Sequence, residues 1–139
     1  MQMDVVGTSL SFEVSEVTSW DPDNSWTNAK MSVKNEFFDF EIEPSFVTFQ
    51  ELKELQRDLT GLINHDLPQY VKIYMIEPYW EIYLDPNPDA DECCEFWFYP
   101  EIGGGFTDQY YCLPLTIAEA NHFLNYLNEQ LPKLPKTGH

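Results

Sequence analysis

The sequence predicts a single α+β domain, with an antiparallel β-sheet that carries two helices packed on one face. Two stretches of alternating apolar and polar residues each lead into a T-x-x-E pattern and then a helical stripe, so the order is strands, helix, strands, helix. Turn-forming residues separate neighbouring strands by short connections, which suit antiparallel hairpins. At 139 residues the chain encloses one sizeable core but not two. Within one domain spanning 1–139, residues 1–46 are read as strands, 47–64 as a helix, 70–113 as strands, 116–131 as a second helix and 132–139 as a tail.

Leu10, Phe12 and Val14 alternate with Ser11, Glu13 and Ser15, the period of a half-buried strand. Trp20 to Ser25, WDPDNS, is a cluster of turn formers. It leads to a second alternating run with Ala29, Met31 and Val33 on one side and Lys30, Ser32 and Lys34 on the other. Asn35 and Glu36 make a tight connection to Phe38, Phe40 and Ile42, so a hairpin is expected. Pro44 and Ser45 end this group. Thr48 and Glu51 then form a capping box, in which hydroxyl and carboxylate each satisfy a backbone N–H left unpaired by the first helical turn. Val47 and Leu52 are placed as a hydrophobic staple, and Leu52, Leu55, Leu59 and Leu62 recur at steps of three and four. Lys53, Glu54, Arg57 and Asp58 fall mainly on the opposite face, and the helix is expected to fray at Asn64 and His65.

The second half repeats the plan with more strand. Tyr70 to Ile76 is rich in β-branched and aromatic residues, and Glu77 and Pro78 interrupt it. Trp80, Ile82 and Leu84 then alternate with Glu81 and Tyr83. Asp85 to Glu92, DPNPDADE, reads as an acidic loop. Cys93 to Tyr99 and Tyr110 to Leu113 read as strands joined across Gly103, Gly104 and Gly105. Thr116 and Glu119 form a second capping box, and Ala120, Phe123, Leu124, Leu127 and Leu131 continue a helical stripe until Pro132.

Composition narrows the function classes. An apolar share of 43% with 16% aromatic residues argues for a folded core despite a formal charge of −17. No Lys or Arg lies between Lys72 and Lys133, whereas eleven acids do, among them Glu77, Glu81, Glu95 and Glu129. Such a field repels nucleic acid and anionic membranes and either steers basic protein surfaces to encounter or serves only to keep the protein soluble. The N-terminal stretch MQMDVVGTSLSFEV lacks the marks of a secretory signal, so a cytoplasmic location is expected. Three cysteines, two of them adjacent, do not form a disulfide framework, and Cys112 has no spacing partner for zinc. No cofactor and no metal are expected.

Candidate sites are each opposed by a plainer reading. Asp85, Asn87 and Asp89 have the D-x-N-x-D spacing of a calcium loop, but Ala90 and Phe96 stand where Gly and a bidentate Glu are needed. The three glycines at 103–105 lead into Phe106 and Thr107 rather than a basic helix, against a phosphate cradle. Cys112, His122 and Asp108 belong to no recognised catalytic motif. Glu77, Glu81 and Glu95 sit near Tyr79, Tyr83 and Trp97, a combination open to glycosidase carboxylates, a sugar platform or a protein-binding hot spot. Chance adjacency and simple core packing are the plainer readings; in a mixed outcome Trp80 and Phe96 pack inside while Tyr79 and Tyr83 face a partner, and alternation alone does not decide which face is wet. No enzymatic activity is expected.

Several short motifs together resemble the WapI-type immunity proteins, small cytoplasmic inhibitors of polymorphic toxins that bacteria deliver on contact. They are Asp23-Asn24-Ser25-Trp26 followed by Lys30 and Val33, then Thr48, Glu51, Leu52, Leu55 and Leu59, then Glu77-Pro78, Asp108-Gln109-Tyr110 and Leu131-Pro132. The resemblance implies a binding protein that neutralises a cognate toxin domain; the acid-only half suits a basic, nuclease-like one, and a monomer or weak homodimer is expected. The expected contact surface is Asp85, Asp89, Asp91 and Glu92, with Tyr79 and Tyr83 as aromatic anchors. The alternative is an acidic protein-interaction or carbohydrate-binding module of unrelated role.

Overall fold

Alternation and capping are realised in the order read from the sequence. The computed structural model describes residues 1–87, 92–99 and 110–136. The first group is β1 (Gln2–Val5), β2 (Thr8–Ser19), β3 (Trp26–Lys34) and β4 (Asp39–Ile42), followed by α1 (Phe49–Ile63). The second is β5 (Val71–Tyr74), β6 (Trp80–Leu84), β7 (Cys94–Phe98) and β8 (Tyr111–Leu115), followed by α2 (Ile117–Gln130). The protein is a small α+β domain, and its strands form two antiparallel four-stranded sheets, β1-β2-β3-β4 and β5-β6-β7-β8, where one sheet was expected. Each strand pairs with its chain neighbour, and α1 interrupts the run, so neither group extends the other. β1 adds a strand that the alternation reading did not include.

The inner faces of both sheets and the apolar stripes of both helices enclose one core. Its centre is Phe12 of β2, whose ring lies 5.4 Å from Phe123 of α2, 6.2 Å from Trp80 of β6 and 6.4 Å from Phe46. A second bridge joins the sheets where Phe40 of β4 meets Phe98 of β7 at 5.8 Å. Helix α1 approaches β6, α2 approaches β8, and the helices touch, with Gln56 Nε2 donating to Asn128 Oδ1 at 2.8 Å. Among the described residues no helix is long and apolar enough to cross a membrane.

Both capping boxes form. In the first, Glu51 N–H donates to Thr48 Oγ1 at 3.1 Å, and Glu51 Oε1 accepts from Thr48 N–H at 2.9 Å. Glu51 also does something the pattern does not announce: its Oε2 accepts the Ile76 N–H at 2.8 Å, tying the helix to the connection between β5 and β6. Just upstream, Val47 C=O accepts from the Thr27 hydroxyl at 2.7 Å, which ties the same turn to β3. Asp58 departs from its expected position. It is buried, with Arg57 Nε 3.1 Å from its carboxylate, because it follows the inward-facing Leu55 by one short turn.

Helix α1 does not fray at its end. His65 takes a left-handed φ of 59°, its N–H reaches Leu62 C=O at 3.2 Å, and Asp66 N–H reaches Gly61 C=O at 2.8 Å. That is the Schellman arrangement, with a histidine at the position where glycine is preferred. The expected tail is also docked. β1 covers β2 only as far as Phe12, whose N–H reaches Met1 C=O at 2.9 Å. Beyond it, Tyr126 Oη accepts the Val14 N–H at 2.9 Å and Gln130 Nε2 donates to Val14 C=O at 3.1 Å. Pro135 C=O then accepts the Val17 N–H at 2.8 Å. Three successive pieces of chain thus close one sheet edge that would otherwise invite pairing.

Two stability predictions follow from these caps. Replacing His65→Gly relieves the left-handed residue and is expected to stabilise the protein by about 0.5–1 kcal/mol after the extra entropy of the unfolded chain is counted; a lower urea midpoint would contradict this. Glu51→Gln keeps the shape but turns an amide donor toward a backbone N–H, an expected loss of about 2–3 kcal/mol in the same urea titration.

Candidate functional site

In the second sheet, Ile73, Trp80, Ile82, Leu84, Cys94, Phe96, Phe98, Leu113 and Leu115 are buried against the helices and the first sheet. The period of two therefore turns Lys72, Tyr74, Glu81, Tyr83, Glu95, Trp97 and Cys112 to the outer face. Strand register brings them into rows, with Lys72 opposite Tyr83, Tyr83 opposite Glu95, Glu81 opposite Trp97 and Trp97 opposite Cys112.

The rings form a continuous line across the strands. Tyr70 and Tyr83 stack with centroids 6.2 Å apart, Tyr83 meets Trp97 edge-on at 5.2 Å, and Trp97 and Tyr110 stack at 4.6 Å. Tyr70 is 56% exposed, Tyr74 65% and Tyr110 54%, so the line is open to solvent at both ends. Two carboxylates hold it in place. Glu81 Oε2 accepts from Tyr83 Oη at 2.6 Å and Tyr99 Oη at 3.1 Å, and Glu95 Oε2 accepts from Trp97 Nε1 at 2.9 Å. Lys72 Nζ lies 4.6 Å from the Tyr74 ring centroid, 4.8 Å from that of Tyr83 and 3.8 Å from Glu81 Oε2. Partial burial, reinforced by the hydrogen bond to Glu81, pushes the Tyr83 and Tyr99 phenols upward, so both stay protonated donors at neutral pH.

The anchors expected from the sequence are divided. Tyr83 belongs to this row, and Trp80 and Phe96 are inside at 0% exposure. Tyr79 lies elsewhere, half-buried just before β6, lining an open groove with Glu41, Glu43 and Glu77. Asp85 follows β6 directly, its N–H bonded to Cys93 C=O at 2.9 Å and its Oδ1 accepting the Asn87 N–H at 3.0 Å. Glu92 is exposed at the approach to β7, while Asp89 and Asp91 lie outside the described residues. Tyr70, Lys72, Tyr74, Tyr99 and Tyr110 were not singled out. The acid two residues before each of Tyr83 and Trp97 marks the wet side of β6 and β7 and so could have pointed to the face, though not to Tyr70 and Tyr110, which lie outside the strands.

The remaining candidates are placed as follows. Asp85 and Asn87 share a tight turn, and Asp89 and Gly103 to Gly105 fall outside the described residues. Cys112 faces outward from β8, whereas α2, which carries an exposed His122, packs at the inner side, and Asp108 lies outside the described residues. Burial, with Glu95 nearby, pushes the Cys112 thiol up to about 12, which leaves almost no thiolate for nucleophilic attack.

No family model matches this chain, and no curated protein matches it. A solved structure of the plant transcriptional regulator PBF-2 is similar over 96% of this chain and 80% of that one, with a TM-score of 0.52 and 11% sequence identity. At that identity the likeness is one of fold: this arrangement of strands and helices is shared by a chain of very different sequence.

The raised Cys112 thiol yields a measurable expectation. At pH 8 iodoacetamide should modify Cys112 at least about 100-fold more slowly than glutathione, and Cys93 and Cys94 only on unfolding. Mass spectrometry of the native protein checks this, and labelling of Cys112 at the rate of glutathione would refute it.

Proposed function

We propose that this protein is a non-enzymatic immunity protein that binds one-to-one to a cognate, basic, nuclease-like bacterial toxin domain and neutralises it in the cytoplasm. The observation that carries this reading is the outer face of the second sheet, an open row of Tyr and Trp rings set among carboxylates in a chain of net charge −17. Tyr and Trp dominate binding hot spots because they bury large area with little loss of side-chain freedom. The surrounding acids raise the encounter rate with a cationic partner and oppose nucleic acid, whose phosphates require neutralising cations. On this face Lys72 is the sole cation among the described residues. The fold shared with a transcriptional regulator therefore gives no support to DNA binding here. Asp85 follows β6 directly and Glu92 precedes β7, so this reading adds these two acids to the surface and leaves Tyr79, in its separate groove, out of it.

A second reading has one observation in its favour. Trp97 and Tyr110 are stacked beside a carboxylate, an arrangement that sugar rings also use, so a carbohydrate-binding module is the alternative.

Co-expression with the protein encoded immediately upstream tests the first reading. Growth should be rescued and a complex of the two proteins should co-purify. The double variant Trp97→Ala, Tyr110→Ala is expected to weaken the complex by about 30-fold or more, the loss typical of two hot-spot residues. Absence of a toxic neighbour and of any complex, with a positive response on a glycan array, would replace immunity by the carbohydrate reading.

A further inference from the structure

The aromatic face is built from one unit used twice. On β6, Glu81 precedes Tyr83 by two residues and accepts its hydroxyl at 2.6 Å; on β7, Glu95 precedes Trp97 by two residues and accepts its indole N–H at 2.9 Å. Because the strands are antiparallel, with Tyr83 opposite Glu95 and Glu81 opposite Trp97, the two units are related by an approximate half-turn about the centre of the pair. Each presents a ring whose polar edge is fixed by its own carboxylate, with a second tyrosine beside it: Tyr74 near the first unit and Tyr110 stacked on the second.

The first unit shows what this arrangement receives. Lys72 from β5 projects its ammonium between the Tyr74 and Tyr83 rings and toward Glu81, so a cation held by ring faces and a carboxylate already sits there. The second unit has the same chemistry and a different neighbour. On the β8 side the residue opposite Trp97 is Cys112, and among the described residues no ion pair reaches Glu95. Glu95 Oε2 is taken by Trp97 and by a long contact from the Cys112 thiol at 3.8 Å, and no hydrogen bond among the described residues uses Oε1.

We infer that Glu95, Trp97 and Tyr110 form a receptor for an arginine side chain of the bound protein, the counterpart of the seat that Lys72 fills from within. Arginine fits better than lysine. The close Trp97–Tyr110 stack leaves no gap between the rings, so the cation must lie flat on an exposed ring face while one N–H reaches Glu95. A planar guanidinium does both at once, and a compact, strongly hydrated ammonium does not. This inference rests on the reading of the face as a protein-binding surface, and it names the side chain recognised there.

The test uses the full chain labelled with ¹⁵N and two peptides, acetyl-Gly-Arg-Gly-amide and its citrulline counterpart, which has the same shape without the charge. The arginine peptide should shift the Trp97 indole N–H saturably, with a dissociation constant on the order of millimolar, as one exposed cation–ring contact permits. The citrulline peptide should not. Glu95→Gln is expected to weaken binding about fivefold or more, while Asp39→Asn, which removes the same charge from the first sheet, leaves it unchanged. Lys72→Met should open the first seat, adding a second saturable response at the Tyr83 ring. An equal response to citrulline, or no saturable shift at Trp97, would overturn the receptor. Arginine binding without capture of any toxin would remove the immunity reading and leave the receptor standing. Toxin capture undiminished by Glu95→Gln and Trp97→Leu would do the reverse.

Discussion

The buried carboxylate of Glu51 accepts hydrogen bonds from the start of α1 and from the β5–β6 connection of the second sheet, and the geometry of both halves follows from it. One oxygen completes the helix cap at Thr48 and the other takes the Ile76 N–H. The turn carrying this cap is itself bonded to β3 through Thr27 and Val47, so first sheet, helix and second sheet meet within a few residues. Burying a carboxylate is costly unless its oxygens find donors, and here they are backbone and hydroxyl groups that would otherwise also be orphaned. The two needs cancel. With the β5–β6 connection held, the apolar side of β6 faces Phe12 and Phe46, and its other side is left to solvent.

The same strands thus carry two aromatic populations with opposite duties. Trp80, Phe96 and Phe98 fill the interior, packed edge-on against one another. Tyr83, Trp97 and Tyr99 stand outside, each pinned through a polar atom to Glu81 or Glu95. Pinning matters for recognition, because a ring already held in its binding orientation loses little further freedom when a partner covers it. The acids serve twice, as anchors for the rings and as a source of negative potential.

Local patterns were legible and non-local ones were not. A capping box is complete within four residues, so both helix starts could be read directly from Thr48–Glu51 and Thr116–Glu119. Strand alternation is equally local. The division of eight strands into two sheets depends on which strands meet in space, and no window of sequence contains that. The wet face of β6 was hard to assign because both alternating sets are large and partly aromatic, Trp80 with Ile82 against Tyr83 with Glu81. Glu81 and Glu95 carry the signal that separates the two sides, and alternation by itself does not contain it. Tyr70 and Tyr110 come to the face from outside the strands, which no periodicity reports. The left-handed His65 was hidden for a simpler reason: a histidine at that position carries none of the signal that a glycine would.

The covering of the β2 edge has a consequence for how the molecule comes into being. The first sheet is made first, yet the groups that satisfy Val14 and Val17 come from Tyr126, Gln130 and Pro135, far along the chain after the second sheet. While those residues are still within the ribosome, part of β2 presents unpaired backbone, and Phe12 lacks its contact with Phe123. The β2 edge therefore closes only once residues 126 to 135 have emerged, so the first sheet is not completed by its own strands alone.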